Sequence, residues 1–376
     1  MTGRSAGFYP KEAVASILSA LRERNGASET APNRPKPVRR EEAAAPATLV
    51  ADLADGYALY AISDTQSGID TETRTWMSDL DRLPSGLRST SPGRTVFSLR
   101  DPRGECMALI VAQGTPATVT SIIQPRSRPE AIPASGPIAR ALLSTGVELG
   151  QYAQRLGALR DSEDRLHFID SAPDKLDLSA DFCGYIADPV IMPKVLSSDA
   201  DFLIVDSLIG RNPVSVNVKG HLSFVNVRGL VLPTLLNVGR DLLLQLSDAR
   251  ALPSRFSVGR DLNIGLTAIS EFPDQFYVGR HIVANGAAIS RLRGGFTLKG
   301  NLDLRGCPIS ELPWGLDIGG SLDLSGTRVT QIPGDAVIGG NLMVEDTVVV
   351  PPTVRLGGRL MYARPYGYET VQRPAH

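Results

Sequence analysis

The chain has 376 residues, with 39 Lys and Arg against 40 Asp and Glu, a formal net charge of −1. A chain this long can bury a sizeable core, and without a net field it has no bulk attraction for nucleic acid or an anionic membrane. No apolar run approaches the ~18 residues of a spanning helix, and Cys106, Cys183 and Cys307 lie far apart, with no histidine at ligand spacing. Neither a disulfide framework nor a metal site is legible, and no cofactor is expected.

Pro10 opens a predicted helix over residues 10–24, with Val14, Ile17, Leu18 and Leu21 on one face. Lys11 and Glu12 interrupt any secretory hydrophobic run, so the expected location is cytoplasmic, or outside by a signal-peptide-independent route. Residues 25–49 carry Pro32, Pro35, Pro37 and Pro46 and the cluster Lys36, Arg39, Arg40, and read as a disordered linker.

Residues 50–136 read as a small α+β unit. Tyr57 to Ile62 suits a strand, and Thr95–Arg100 and Cys106–Val111 flank Asp101-Pro102-Arg103-Gly104, a type I turn signal for a β-hairpin. The run Ser98 to Pro102 with Gly104, an apolar strand and Gln124-Pro125 resembles, over residues 96–125, a domain of plasmid and phage proteins called PcfJ-like. The His-Cys-Val-Gly segment expected upstream in that family is absent, and no residue role is carried over. Ile138, Leu142, Thr145, Leu149, Tyr152, Leu156 and Leu159 then make one stripe. Residues 137–170 are therefore read as a capping region whose helix, over 137–160, covers the first repeat.

From here a 20-residue register takes over. Prolines stand at 173, 193, 213, 233, 253, 273, 313 and 333; Arg293 breaks the series and Pro351 closes it two residues early. Such a period means one unit stacked on itself, because a lone unit cannot bury its apolar face. Two skip-one pairs recur in every unit, Leu262/Ile264 and Phe256/Val258 being one set, and a third column holds Ile269, Ile289, Ile309, Val329 and Val349. Skip-one spacing is that of a strand buried on one face. Gly239, Gly259, Gly279, Gly319 and Gly339 mark a corner that needs positive φ or close backbone approach. Ser247, Thr267, Cys307, Thr327 and Thr347 form a small-residue column expected to bond the neighbouring coil. The fold class is thus a β-rich, leucine-rich-repeat-like solenoid of about nine to ten coils over 171–362, with a parallel β-helix as the alternative and a tail at 363–376.

The Leu-Pro-x-x-Leu corner and Leu-x-Leu strand of the copy from Leu312 through Leu324 resemble the short bacterial leucine-rich repeat, known from type III secreted effectors. This sequence departs from it in having Val-Gly-Gly for a leucine step and Thr for Asn. The resemblance implies a concave protein-binding face and delivery into a host cell. Too few residues follow the last coil for the ubiquitin-ligase domain some of those effectors carry.

One column holds Arg240, Arg260 and Arg280, and the next holds Asp241, Asp261 and His281. Stacked about 5 Å apart, the guanidinia could grip an acidic partner or a phosphate, or each could pair with a neighbouring Asp at an exposed turn. Of the four histidines, His167, His221, His281 and His376, none sits in a catalytic motif; only Cys106 with His167 could be imagined as a dyad. The reading is a non-enzymatic scaffold that recognises a protein partner, without nucleic acid or membrane insertion and with oligomeric state open. The alternatives are a type III effector, or an enzyme in residues 50–165 with the repeats as a targeting arm.

Overall fold

A computed structural model describes residues 47–62, 64–73, 76, 87, 91–125, 132–185, 189–364 and 367–371. The helix expected over 10–24 and most of the expected linker lie outside these residues. The linker's last residues are instead part of a strand. β1 (Ala47–Asp52), β2 (Ala58–Ile62), β3 (Arg94–Arg100), β4 (Cys106–Gln113) and β5 (Thr118–Ile123) form an antiparallel sheet in chain order. The β3–β4 hairpin turns as expected: the Asp101 carbonyl accepts the Gly104 N–H at 2.8 Å, and Asp101 Oδ1 accepts from the N–H groups of Arg103 and Glu105. This sheet is covered on both faces, which is why β4 reads as an unbroken apolar run. Ile69 of α1 (Gln66–Glu72) packs with Trp76, Val96 and Leu109, while Ile138 and Leu142 of α2 (Ser135–Ser144) pack with Leu59, Phe97 and Ile110.

The helix expected over 137–160 is therefore shorter, and it packs on the sheet. It stops at Gly146, whose φ of +82° no continuing helix tolerates. Two 3-10 turns, Gly150–Tyr152 and Gln154–Leu156, and a hairpin of β6 (Ala158–Arg160) and β7 (Leu166–Phe168) follow. Capping falls to this stretch. The Gln154 side-chain amide donates to the Asp181 carbonyl (2.6 Å) and accepts from the Cys183 N–H (3.0 Å), standing in for a missing strand. Ser162 N–H bonds the Asp177 carbonyl, and the Ile169 carbonyl accepts from Ile191 N–H, each at 2.8 Å. Three sides of the first coil are thus closed by backbone-like partners.

The repeats build a β-solenoid of about nine turns. One wall begins as a six-stranded parallel sheet of Lys175–Leu178, Val195–Ser198, Ser215–Val218, Leu235–Val238, Arg255–Val258 and Gln275–Val278. It resumes as four two-residue strands from Thr297–Leu298 to Arg355–Leu356. The facing wall is an eleven-stranded sheet running from Phe182–Tyr185 to Leu360–Arg364, ended by the antiparallel strand Gly367–Val371, which folds the expected tail back on the last coil. Parallel pairing on two walls is the arrangement of a parallel β-helix.

Register follows the sequence period: Leu262 pairs with Ile282, Ile282 with Leu302, and Leu302 with Leu322. Leu262, Ile264, Leu302, Leu304, Leu322 and Leu324 are all at most 1% exposed, and Phe256, Phe276 and Phe296 continue the other wall's inner column, with successive ring centroids 5.5 and 5.9 Å apart. Val349 departs from its column. It is 59% exposed while Val348 is buried, because the last coil closes two residues early and the register shifts.

Of two expectations about corners, one narrows to its second alternative and one changes. A Cβ on Gly259 would sit 2.0 Å from the Gly239 carbonyl oxygen, and one on Gly279 at 2.0 Å from that of Gly259, so close approach, not positive φ, requires these glycines. Positive φ falls instead at the bend after the second wall, on Asp206, Asn226, Leu246, Leu266, Gly286, Gly306 and Gly326. The small-residue column mostly closes its own coil: Ser247, Thr267 and Thr327 donate to the carbonyls of Leu244, Ile264 and Leu324 three residues back. Only the Cys307 thiol reaches the preceding coil, at the Ala284 carbonyl, 3.0 Å away.

Leu266 sits at φ +56° with its side chain half exposed, so left-handed strain is little offset by burial. Leu266→Asn, the residue the column uses at 226, should stabilise the fold by about 1 kcal/mol in urea unfolding. A loss of stability would show that the leucine's contacts outweigh the backbone. Gln154→Ala should cost about 1 kcal/mol and expose a sheet edge. Concentration-dependent association by light scattering, absent in the parent, is the expected sign.

Candidate functional site

The arginine column and the acidic column beside it do stack, yet the structure gives them a structural task. Each side chain of the second column accepts the N–H of the residue one coil later. Asp181 Oδ1 accepts from Asp201 (2.9 Å), Asp201 Oδ1 from His221 (2.8 Å), Asp241 Oδ1 from Asp261 (3.1 Å), and Asp261 Oδ1 from His281 (3.1 Å). His281 Nδ1 accepts from Asn301 (2.9 Å), Asn301 Oδ1 from Ser321 (2.8 Å), Ser321 Oγ from Asn341 (2.9 Å), and Asn341 Oδ1 from Arg359 (2.9 Å). His221 departs, its Nδ1 lying 3.1 Å from Asp241 Oδ2. The cross-coil ladder expected of the Ser/Thr column is here.

The arginines pair backwards onto it. Arg280 Nε and Nη2 lie 2.9 and 2.6 Å from the Asp261 oxygens, and Arg260 Nε is 3.6 Å from Asp241. Burial pushes the Asp261 carboxyl up, but the Arg280 and His281 hydrogen bonds outweigh it and hold the group below its ordinary value. The exposed Arg240 makes no ion pair among the described residues. A grip on an acidic ligand would have to compete with these carboxylates, which makes the column a poor anion site.

Cys106 and His167 are not brought together. Cys106 is buried against the β-sheet with its Sγ 3.6 Å from the Ala108 carbonyl, and burial pushes the thiol up to about 12, so it is no nucleophile near neutral pH. His167 Nε2 is held 2.9 Å from Asp161 Oδ2 in the β6–β7 hairpin. A buried cluster that sequence reading missed lies nearby: Glu72 Oε2 accepts from Ser98 Oγ (2.6 Å) and Arg100 Nε (3.1 Å), with the guanidinium 4.2 Å above the Tyr60 ring. Its groups satisfy one another. Among the described residues no three His, Cys, Asp or Glu side chains converge as a metal site, and no helix is long and apolar enough to cross a membrane.

The outer face of the six-stranded wall is different. It exposes apolar side chains where a strand normally turns polar ones to water: Leu235 is 60% exposed, Tyr277 54% and Val195 37%. Two clefts of about 460 and 470 Å³ share Phe276 and Tyr277. Leu235, Arg255 and Gln275 line the first, and Thr297, Lys299 and Asp317 the second. Asn217, Asn237, Ser257 and Tyr277 occupy one outward row, pairing as Asn217↔Asn237, Asn237↔Ser257 and Ser257↔Tyr277. A third groove, about 520 Å³, lies at the cap, between Leu159, Leu166 and Phe182, with Arg160 and Asp181 among its lining. The signal for the outer face was present in the sequence: Leu235 stands in a slot that other coils fill with Lys, Val, Ser, Arg or Gln, and Tyr277 in one filled with Asp, Ser or Asn.

Asp261 separates ladder from site. Asp261→Asn keeps the acceptor for His281 N–H and loses only a partly exposed ion pair, so it should change stability by less than about 1 kcal/mol. Asp261→Ala removes the acceptor and should cost about 1–3 kcal/mol by thermal unfolding. Equal effects would return the weight to the ion pair. No protein-family model, curated protein or solved structure matches the chain, and function rests on the surfaces just described.

Proposed function

We propose that this chain is a non-enzymatic recognition scaffold whose outer six-stranded wall docks a protein partner. The observation that supports it is the exposure of Leu235 and Tyr277 on a regular parallel sheet, over clefts with a shared Phe276–Tyr277 floor. Aromatic and aliphatic anchors seated in shallow clefts, ringed by groups such as Arg255, Gln275 and Lys299, have the composition of binding hot spots. Leu235 sits on a strand hydrogen-bonded on both edges and loses little further entropy on binding, which favours such a face over a loop. Delivery into a host cell by a type III route, implied by the repeat's resemblance, is a separate proposal that needs no different face; a translocation reporter on residues 1–50 tests it.

The docking test is a paired one. Leu235→Glu with Tyr277→Ala should abolish capture of a partner by the immobilised full chain while changing stability by no more than about 0.5 kcal/mol, as exposed substitutions do. Capture that survives this pair but fails with Arg240, Arg260 and Arg280 all changed to Ala would move the binding face to the arginine column.

A further inference from the structure

In the six-stranded wall the exposed apolar side chains stand on alternate strands: Val195 on the second, Leu235 on the fourth and Tyr277 on the sixth. The outward positions between them are polar, Ser215 and Asn217 on the third strand and Arg255 and Ser257 on the fifth. Neighbouring strands lie about 4.8 Å apart, so anchors on alternate strands are about 10 Å apart along the solenoid axis. The two clefts repeat that interval. The first is centred on the strand Arg255–Val258 and the second on the coil of Thr297 and Lys299, one coil to either side of Tyr277. The second cleft sits at a break in the wall, where Gln275–Val278 and Thr297–Leu298 do not pair.

This spacing sorts the forms a polypeptide ligand can take. Seven residues of α-helix rise about 10.5 Å and bring a side chain back to the same face. An extended chain laid along the axis returns a side chain to one face every ~6.7 Å, out of step with the anchors. An extended chain laid parallel to the wall's own strands would follow a single coil and reach a single anchor. The stripe is also slanted. Leu235 stands in the row of Arg255 and Gln275, whereas Tyr277 stands in the row of Asn237 and Ser257, two residues along the strand. That offset lengthens the step from Leu235 to Tyr277 to about 12 Å, the rise of eight helical residues. Positions seven and eight apart share one stripe of a helix.

Charge decides what flanks that stripe. Arg255 and Lys299 line the clefts, and Arg240 stands just past the strand that carries Leu235. None of the three is in an ion pair among the described residues, and Arg255 Nε donates instead to the uncharged Gln275 side chain at 2.9 Å. Against them the two clefts hold one carboxylate, Asp317. We infer that the occupant of the outer wall is an amphipathic α-helix of the partner protein, acidic on its flanks, lying along the solenoid axis with apolar residues seven or eight apart. This rests on the docking reading above and adds the form and charge of what docks.

The test is a selection from a displayed library of random peptides, about 22 residues long so that three anchors fit, on the immobilised full chain. Enriched peptides are then measured on the parent, on Leu235→Glu and on Arg255→Glu with Lys299→Glu. Peptides that win should carry apolar residues seven or eight apart and a net negative charge, and should gain helical circular dichroism when the chain is added. They should bind Leu235→Glu at least about tenfold more weakly. Binding should also weaken with added salt and with the charge-reversed pair. Tyr277→Ala, on a different strand, repeats the comparison should Leu235→Glu unfold. Binders that depend on Leu235 but lack the spacing, are basic or stay extended overturn the helix and leave the docking face standing. Enrichment that ignores both Leu235→Glu and Tyr277→Ala, or no enrichment at all, overturns the face and the helix together.

Discussion

Everything in the solenoid depends on the backbones of successive coils lying one strand spacing apart at the corner between the two walls. At Gly239, Gly259, Gly279, Gly319, Gly339 and Gly357, the space a Cβ would fill is occupied by the carbonyl group of the coil before. That contact lets the walls pair in register on either side, and register delivers the same aliphatic wedge to the same axis in each turn. Hydrophobic burial stabilises the stack, but the corner decides whether the coils can come close enough to bury anything.

A stack of parallel strands also creates a polar demand at its corners and ends, because an unpaired buried N–H or C=O is costly. The chain meets it with side chains that imitate backbone. Asp, Asn, Ser and His form the ladder along the corner, and the Gln154 amide replaces a strand at the first edge. The charged residues that most resembled a site in the sequence are thus occupied in holding coils together. The outer wall, which carries no such duty, leaves Leu235 and Tyr277 uncovered.

The same corner explains the break. From the coil of Arg293 and Gly295 onward the strands of the outer wall are two residues long instead of four. On that wall the later coils pair with each other but not with the earlier ones, while the facing wall stays paired throughout. Tyr277, Lys299 and Asp317, which line one exposed cleft, lie at this junction, so the cleft is a direct result of two coil types meeting in one wall.

By itself the amino-acid sequence determined the period, the inward columns and the hairpin at Asp101–Gly104, because these rest on local alternation and turn chemistry that neighbours only reinforce. It carried the break at Arg293 as a missing proline, without its consequence. Tertiary structure alone decided which glycine corner is sterically tight and which bend is left-handed, since Leu246 and Leu266 take positive φ against their own preference. It also decided that Asp241, Asp261 and His281 form a ladder while Leu235 and Tyr277 lie open. A side chain's duty there depends on the residue twenty positions away, and only stacking brings the two within a hydrogen bond.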